Sequence, residues 1–160
     1  MKKYFFIFLL NTLFCLCAEK VDKVNQDYYT EFKNKHKITK SQLVILNFIE
    51  NLSCIGCLEP QSYSIDCIHD FIKQNKLENS VRIIGLVRVN RNIEIKSTLK
   101  KYSWTYEFES SAEDLKNKFG INQRALILLT NSNGEILFSF NVDERYSCCK
   151  KIITIIKENI

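Results

Sequence analysis

The residues in this sequence whose types and spacing could do chemistry are Cys54 and Cys57, separated only by Ile55 and Gly56. Three positions apart on a helix, two cysteines lie about one turn from each other. Disulfide exchange needs a thiolate, and an ordinary thiol, with a pKa of about 8.5, is mostly protonated at neutral pH. A helix start would supply the activation, because its unpaired N–H groups and partial positive charge favour the anion. Cys54 is then the more exposed attacking thiol, and Cys57, one turn in, the resolving thiol. Ile55 and Gly56 bring neither charge nor imidazole, so the helix end must do most of the work. Two other readings of the same pair stay open. One is a static disulfide in a binding or structural module, and the other is a pair of soft metal ligands.

The remaining cysteines and the histidines add less. The chain has seven cysteines, of which Cys15 and Cys17 fall in the N-terminal segment. Cys67 lies ten residues beyond Cys57 on the same expected helix, about 15 Å along its axis, too far for direct exchange. It reads as a half-buried structural thiol. Cys148 and Cys149 open the last expected helix and are accessory-thiol candidates, with a relay or resolving role beside the dithiol; the other readings are an inert pair or one structural bond. His36 and His69 read as solvated. Neither has ligand spacing to the dithiol, and a second CxxC is missing, so no metal site is expected. Without a glycine-rich phosphate loop or a G-x-S-x-G elbow, no cofactor is expected either.

The dithiol has to be held by something, and the hydrophobic pattern says what. Leu43–Ile49 (LVILNFI) is a nearly continuous apolar run, as in a strand buried on both faces. A helix carrying the dithiol follows to about residue 76, its apolar face formed by Ile65, Ile68 and Ile72. Residues 81–89 (VRIIGLVRV) make the second buried strand, and Ile95, Leu99 and Tyr102 mark another helix. Trp104, Tyr106 and Phe108 alternate with polar residues, giving an extended segment with one aromatic face. Ser110 with Glu113 looks like a capping box for a helix through Leu115 and Phe119 that stops at Gly120. Residues 125–130 and 135–140 flank Asn131-Ser132-Asn133-Gly134, a hairpin signal. A last amphipathic helix spans about 147–159. Strands alternating with helices and ending in a hairpin predict an α/β fold with a central mixed sheet and helices on both faces.

Val44-Ile45-Leu46-Asn47-Phe48 ahead of the dithiol, SSAEDLKNKFGI over 110–121 and the Asn133-Gly134 hairpin resemble the thioredoxin superfamily, in particular its exported TlpA-like branch. The resemblance covers residues 38–160. It implies a thioredoxin-like fold and a thiol-disulfide oxidoreductase whose partners are protein thiols or disulfides. Two positions depart from the family pattern. Where the family has a cis-proline facing the dithiol, Ala125 stands, so Arg124 and Ala125 are the substrate-groove candidates. A non-proline cis bond costs roughly 2.5–4 kcal/mol, which makes a trans Arg124–Ala125 peptide the expectation. Leu52 and Ser53 occupy the place of the family's tryptophan before the first cysteine.

Residues 1–18 stand apart from the fold. Lys2 and Lys3 precede an apolar run to Cys17 that is shorter than the roughly 20 residues a comfortable bilayer span needs. The segment reads as a signal peptide or membrane anchor, followed over 19–37 by a leading helix or tether. The expected location is extracytoplasmic, periplasmic or secreted, with the N-terminus available as a membrane tether. Loss of residues 1–18 removes two lysines and takes the net charge from +5 to +3. With no aromatic-interleaved basic face, nucleic acid is not an expected partner. A content of 46% hydrophobic and 26% charged residues fits a single globular domain and excludes a disordered chain.

Overall fold

A computed structural model describes residues 23–49, 55–88, 104–141 and 148–160; for residues 55–58 and 60 it describes the backbone alone. The expected leader over 1–18 and the helix expected around Ile95 and Leu99 lie outside the described residues. The elements, in chain order, are α1 (Gln26–Lys35), β1 (Leu43–Ile49), α2 (Ile55–Gln74), β2 (Val81–Arg88), β3 (Glu107–Ser111), α3 (Leu115–Phe119), β4 (Ala125–Thr130), β5 (Ile136–Asn141) and α4 (Cys149–Asn159).

The five strands form one mixed sheet in the order β3-β2-β1-β4-β5. β1 runs parallel to β2, with Leu43 opposite Val81, and β2 runs parallel to β3. β4 and β5 join as an antiparallel hairpin beside β1. Every residue of β1 is buried because both faces of this central strand are covered. Leu43 and Ile45 pack with Ile65, Ile68 and Ile72 of α2 and Ile152 and Ile156 of α4. Val44, Leu46 and Phe48 face the other way, onto Phe32 of α1 and Leu115 and Phe119 of α3. The result is a three-layer sandwich with helices on both faces. Among the described residues, no helix is long and apolar enough to cross a membrane.

Local chemistry sets the element ends. Asn25 caps α1 by accepting from the N–H groups of Asp27 and Tyr28. Ahead of it, Lys23 bridges to Glu135 and the Val24 N–H donates to the Gly134 carbonyl, which ties the start of the described chain to the hairpin turn. In that turn, Asn131 Oδ1 accepts from the N–H groups of Asn133 and Glu135, and Gly134 takes the left-handed φ of 75°. The expected capping box at Ser110 does not form. Ser110 is committed to β3, opposite Val87, and Asp114 instead caps α3 by accepting from Lys116 and Asn117. Gly120 ends that helix at φ 66°, as expected.

The aromatic face of residues 104–108 is present as a stack. The Tyr106 and Phe108 rings lie 4.6 Å apart and nearly parallel, with Trp104 6.0 Å from Phe108. Gly85 of β2 makes room for it. A Cβ at that position would sit 2.3 Å from the Phe108 ring, so a side chain there would push the stack off the sheet.

Candidate functional site

β1 ends at Ile49 and α2 begins at Ile55, so the connection carrying Cys54 is short and leaves from the middle of the sheet. Cys57 is the third residue of a 20-residue helix whose first turn contains no acidic residue. That turn therefore keeps its full partial positive charge, the environment that stabilises a thiolate. Cys54 lies outside the described residues, one position ahead of the helix.

A buried polar network, which the hydrophobic pattern did not reveal, holds α2 in place against the sheet. Asn47 is fully buried in the middle of β1. Its Nδ2 donates to the Tyr106 hydroxyl at 3.0 Å, and its Oδ1 accepts from Gln61 Nε2 at 2.5 Å. Gln61, one turn beyond Cys57, also donates to the backbone carbonyl of Phe48 at 2.7 Å and lies 3.3 Å from that of Leu126. Further along α2, Asp66 accepts from the Trp104 indole at 2.8 Å and from Ser62 at 3.2 Å. Burial pushes the Tyr106 hydroxyl well above its ordinary pKa, so it stays a neutral hydrogen-bonding group. These bonds are directional, unlike the apolar contacts of Ile65 and Ile68, and they set where α2 sits along the strands. The one signal available beforehand was the lone asparagine inside an otherwise apolar strand.

Ala125 opens β4, at the same end of the sheet as the exit of β1. Asn47 pairs with Ile127, so two residues further on Ala125 comes close to the level of Ile49. It is buried, and its N–H donates to the Asn122 carbonyl at 3.0 Å. No cis peptide bond occurs among the described residues, so the Arg124–Ala125 bond is trans. Arg124 sits in the turn just before, its N–H donating to Asn122 Oδ1. Replacing Ala125 with proline is therefore expected to destabilise the protein, because the ring removes a donor that the native turn uses. The loss of about 1–3 kcal/mol expected for an orphaned carbonyl is measurable by denaturant titration. An unchanged midpoint would show that the turn does not depend on this bond.

Cys67 lies on α2 with Cys57, as its spacing suggested, and the Cys148-Cys149 pair supplies the one structural bond that is among its readings. Cys67 is bonded to Cys149, with Cα atoms 6.1 Å apart across 82 residues. This corrects the reading of Cys67 as a thiol and removes Cys149 as an accessory thiol. The physical reason is that α2 and α4 lie side by side on one face of the sheet. Their packing brings the start of α4 to a point about 15 Å down α2 from Cys57, rather than to the dithiol rim. Cys148, next to it, is buried.

His36 is also not solvated but 5% exposed, because the end of α1 packs against the edge strand β3. His69 is partly buried at the far end of α2, 3.3 Å from the Thr105 hydroxyl. Burial, then the charge of Lys73, holds its pKa below the ordinary value. A cleft of about 290 Å³ opens there, lined by His69, Lys73, Arg82, Thr105 and Glu107 among others, well away from Cys57.

Three parallel strands, an antiparallel hairpin beside them, helices on both faces and a cysteine in the first turn after the central strand define a thioredoxin-like fold. Solved structures share it. The thioredoxin domain of a thiol-disulfide oxidoreductase from Bacteroides vulgatus matches with a TM-score of 0.53 and 13% identity, over 73% of this chain and 81% of that one. A thioredoxin-like protein from Porphyromonas gingivalis gives 0.58 and 17%, over 76% and 78%. A secreted disulfide oxidoreductase from Mycobacterium tuberculosis, homologous to DsbE of E. coli, gives 0.53 and 9%, over 76% and 84%. At these identities the likeness is one of fold. No family model matches the sequence, and no curated protein does.

Proposed function

We propose that this chain is a thiol-disulfide oxidoreductase that exchanges disulfides with protein substrates outside the cytoplasm. The observation that carries the reading is Cys57 in the acid-free first turn of α2, immediately after the central strand of a thioredoxin-like sheet. In the oxidising direction for the dithiol, the Cys54 thiolate attacks a substrate disulfide, forming a mixed disulfide and releasing one substrate thiolate. Cys57 then attacks the Cys54 sulfur, the second substrate sulfur leaves, and a Cys54–Cys57 disulfide remains. Two electrons and two protons pass from the dithiol to the substrate, and the reverse sequence oxidises a substrate dithiol. Arg124 and Ala125, at the same end of the sheet, line the groove where the substrate chain docks.

An oxidising compartment is supported by the Cys67–Cys149 bond, since such bonds persist mainly outside the cytoplasm. It is supported too by the charged and apolar segment over 1–18, which would serve as signal or membrane tether, and by the secreted Mycobacterium tuberculosis neighbour. One observation favours a second reading, a binding module with a static 54–57 bond: the trans Arg124–Ala125 peptide in place of the family's cis-proline.

Redox titration of the native protein, with mapping of the peptide that contains both Cys54 and Cys57, separates the two. The oxidoreductase interconverts its 54–57 bond reversibly while folded. A bond that yields only on unfolding would sink the proposal.

A further inference from the structure

β3 is an edge strand with two unlike faces. Tyr106 and Phe108 lean toward α2, while Glu107 and Glu109, two residues apart and so on one side of the strand, turn toward α1. His36, at the end of α1, lies between these two carboxylates. Its ring is buried, with Nδ1 2.5 Å from Glu107 Oε1 and Nε2 2.6 Å from Glu109 Oε2. A carboxylate has no hydrogen to give, and a neutral imidazole has a single N–H. The neutral ring would satisfy one glutamate and turn a lone pair on the other. Only the imidazolium donates to both.

Among the described residues, charged and aromatic groups from three elements surround the ring. Arg82 of β2 pairs with the second oxygen of Glu107 and donates to the His36 carbonyl. Lys35 of α1 lies 2.8 Å from the second oxygen of Glu109. The Phe32 ring packs 4.3 Å from the imidazole. Tyr28, whose pKa is raised to about 12 by burial and then by Glu109, Glu113 and Glu31, stays neutral. Arg82 and Lys35 oppose a third positive charge and so does burial, yet the two carboxylate hydrogen bonds prevail. The pKa of His36 is raised above 6.5, burial being outweighed by the bonds to Glu109 and Glu107. That of Glu109 is lowered, first by its bond to His36. The two directions agree.

We propose that His36 is a proton-operated latch, which as imidazolium clamps the edge strand β3 to α1 and on losing its proton lets that edge loosen. The His36 contribution is fully present somewhat below pH 6.5, while the glutamates stay ionised, and is lost as pH rises through the raised pKa of the folded state. Tyr106, just before β3, bonds Asn47, and Trp104 bonds Asp66 of α2, so the strand that the latch secures also braces the dithiol helix. That last link rests on the function proposed above; the latch does not.

The test uses the full, disulfide-bonded chain labelled with ¹⁵N. At about pH 7.5 an ordinary imidazole is only about a tenth protonated. The protonated fraction of His36, read from its ring nitrogen shifts, is expected to exceed that tenth, and Glu109→Gln is expected to bring it back toward a tenth. As pH climbs further, amide exchange over Glu107–Ser111 rises beyond the intrinsic rate increase, a step that His36→Gln removes. A wild-type His36 ring no more than about a tenth protonated at pH 7.5 overturns the proposal, as does an exchange profile unchanged in His36→Gln. If His36→Gln does not fold, the ring shifts of wild type and Glu109→Gln decide alone. Neither readout involves Cys54 or Cys57, so an inert dithiol leaves the test standing.

Discussion

A Cys57→Ser chain is expected to accumulate mixed disulfides with its substrates through Cys54, while Cys54→Ser forms none and exchanges no faster than background. The argument runs from the helix end. An ordinary thiol with a pKa of about 8.5 is only about 3% thiolate at neutral pH; lowering it to about 7 makes it half thiolate, a gain of roughly 15-fold in attacking species. Cys57 lies in the first turn of α2 and Cys54 precedes the helix by one position in the sequence, so on the proposed function both draw on that partial charge. On the proposed function Cys54, ahead of the helix, makes the first bond and Cys57 breaks it. Removing Cys57 halts the reaction after the first step. Non-reducing electrophoresis and mass mapping read the outcome. Capture by Cys54→Ser but not by Cys57→Ser would reverse the two roles.

Cutting the Cys67–Cys149 bond is expected to cost about 4.5 kcal/mol, because the bond closes a loop of 82 residues in the unfolded chain. For a domain of this size that corresponds to a fall in Tm of roughly 10–15 °C. Cys67→Ala is the informative variant. The bond staples α2 to α4 about 15 Å from Cys57, so the folded variant keeps its dithiol exchange at low temperature while losing heat resistance. Melting curves of wild type and Cys67→Ala, each without reductant, give the comparison. Coincident curves would show that α2 and α4 are held by Ile65, Ile68, Ile152 and Ile156 alone.

Much of the architecture was legible from short stretches, since period, caps and turns depend on neighbours in the chain. LVILNFI reads as a doubly buried strand, and it is the central one. Asn131 to Gly134 reads as a hairpin turn, and Gly120 as a helix stop. The dithiol spacing, with an apolar strand before it and an amphipathic stretch behind, points to a helix start, and α2 begins at Ile55. Ser110 failed as a cap because pairing with β2 claimed its backbone, a competition that no local pattern records. What only the tertiary structure decided involves residues far apart in sequence. Cys67 meets Cys149 because two helices share a face of the sheet. His36 meets Glu107 and Glu109 because α1 packs against an edge strand more than 70 residues away. Gln61 reaches Asn47 only once α2 lies across β1. Periodicity says which face of an element is apolar but not which neighbour will cover it, and every one of these contacts depends on that second choice.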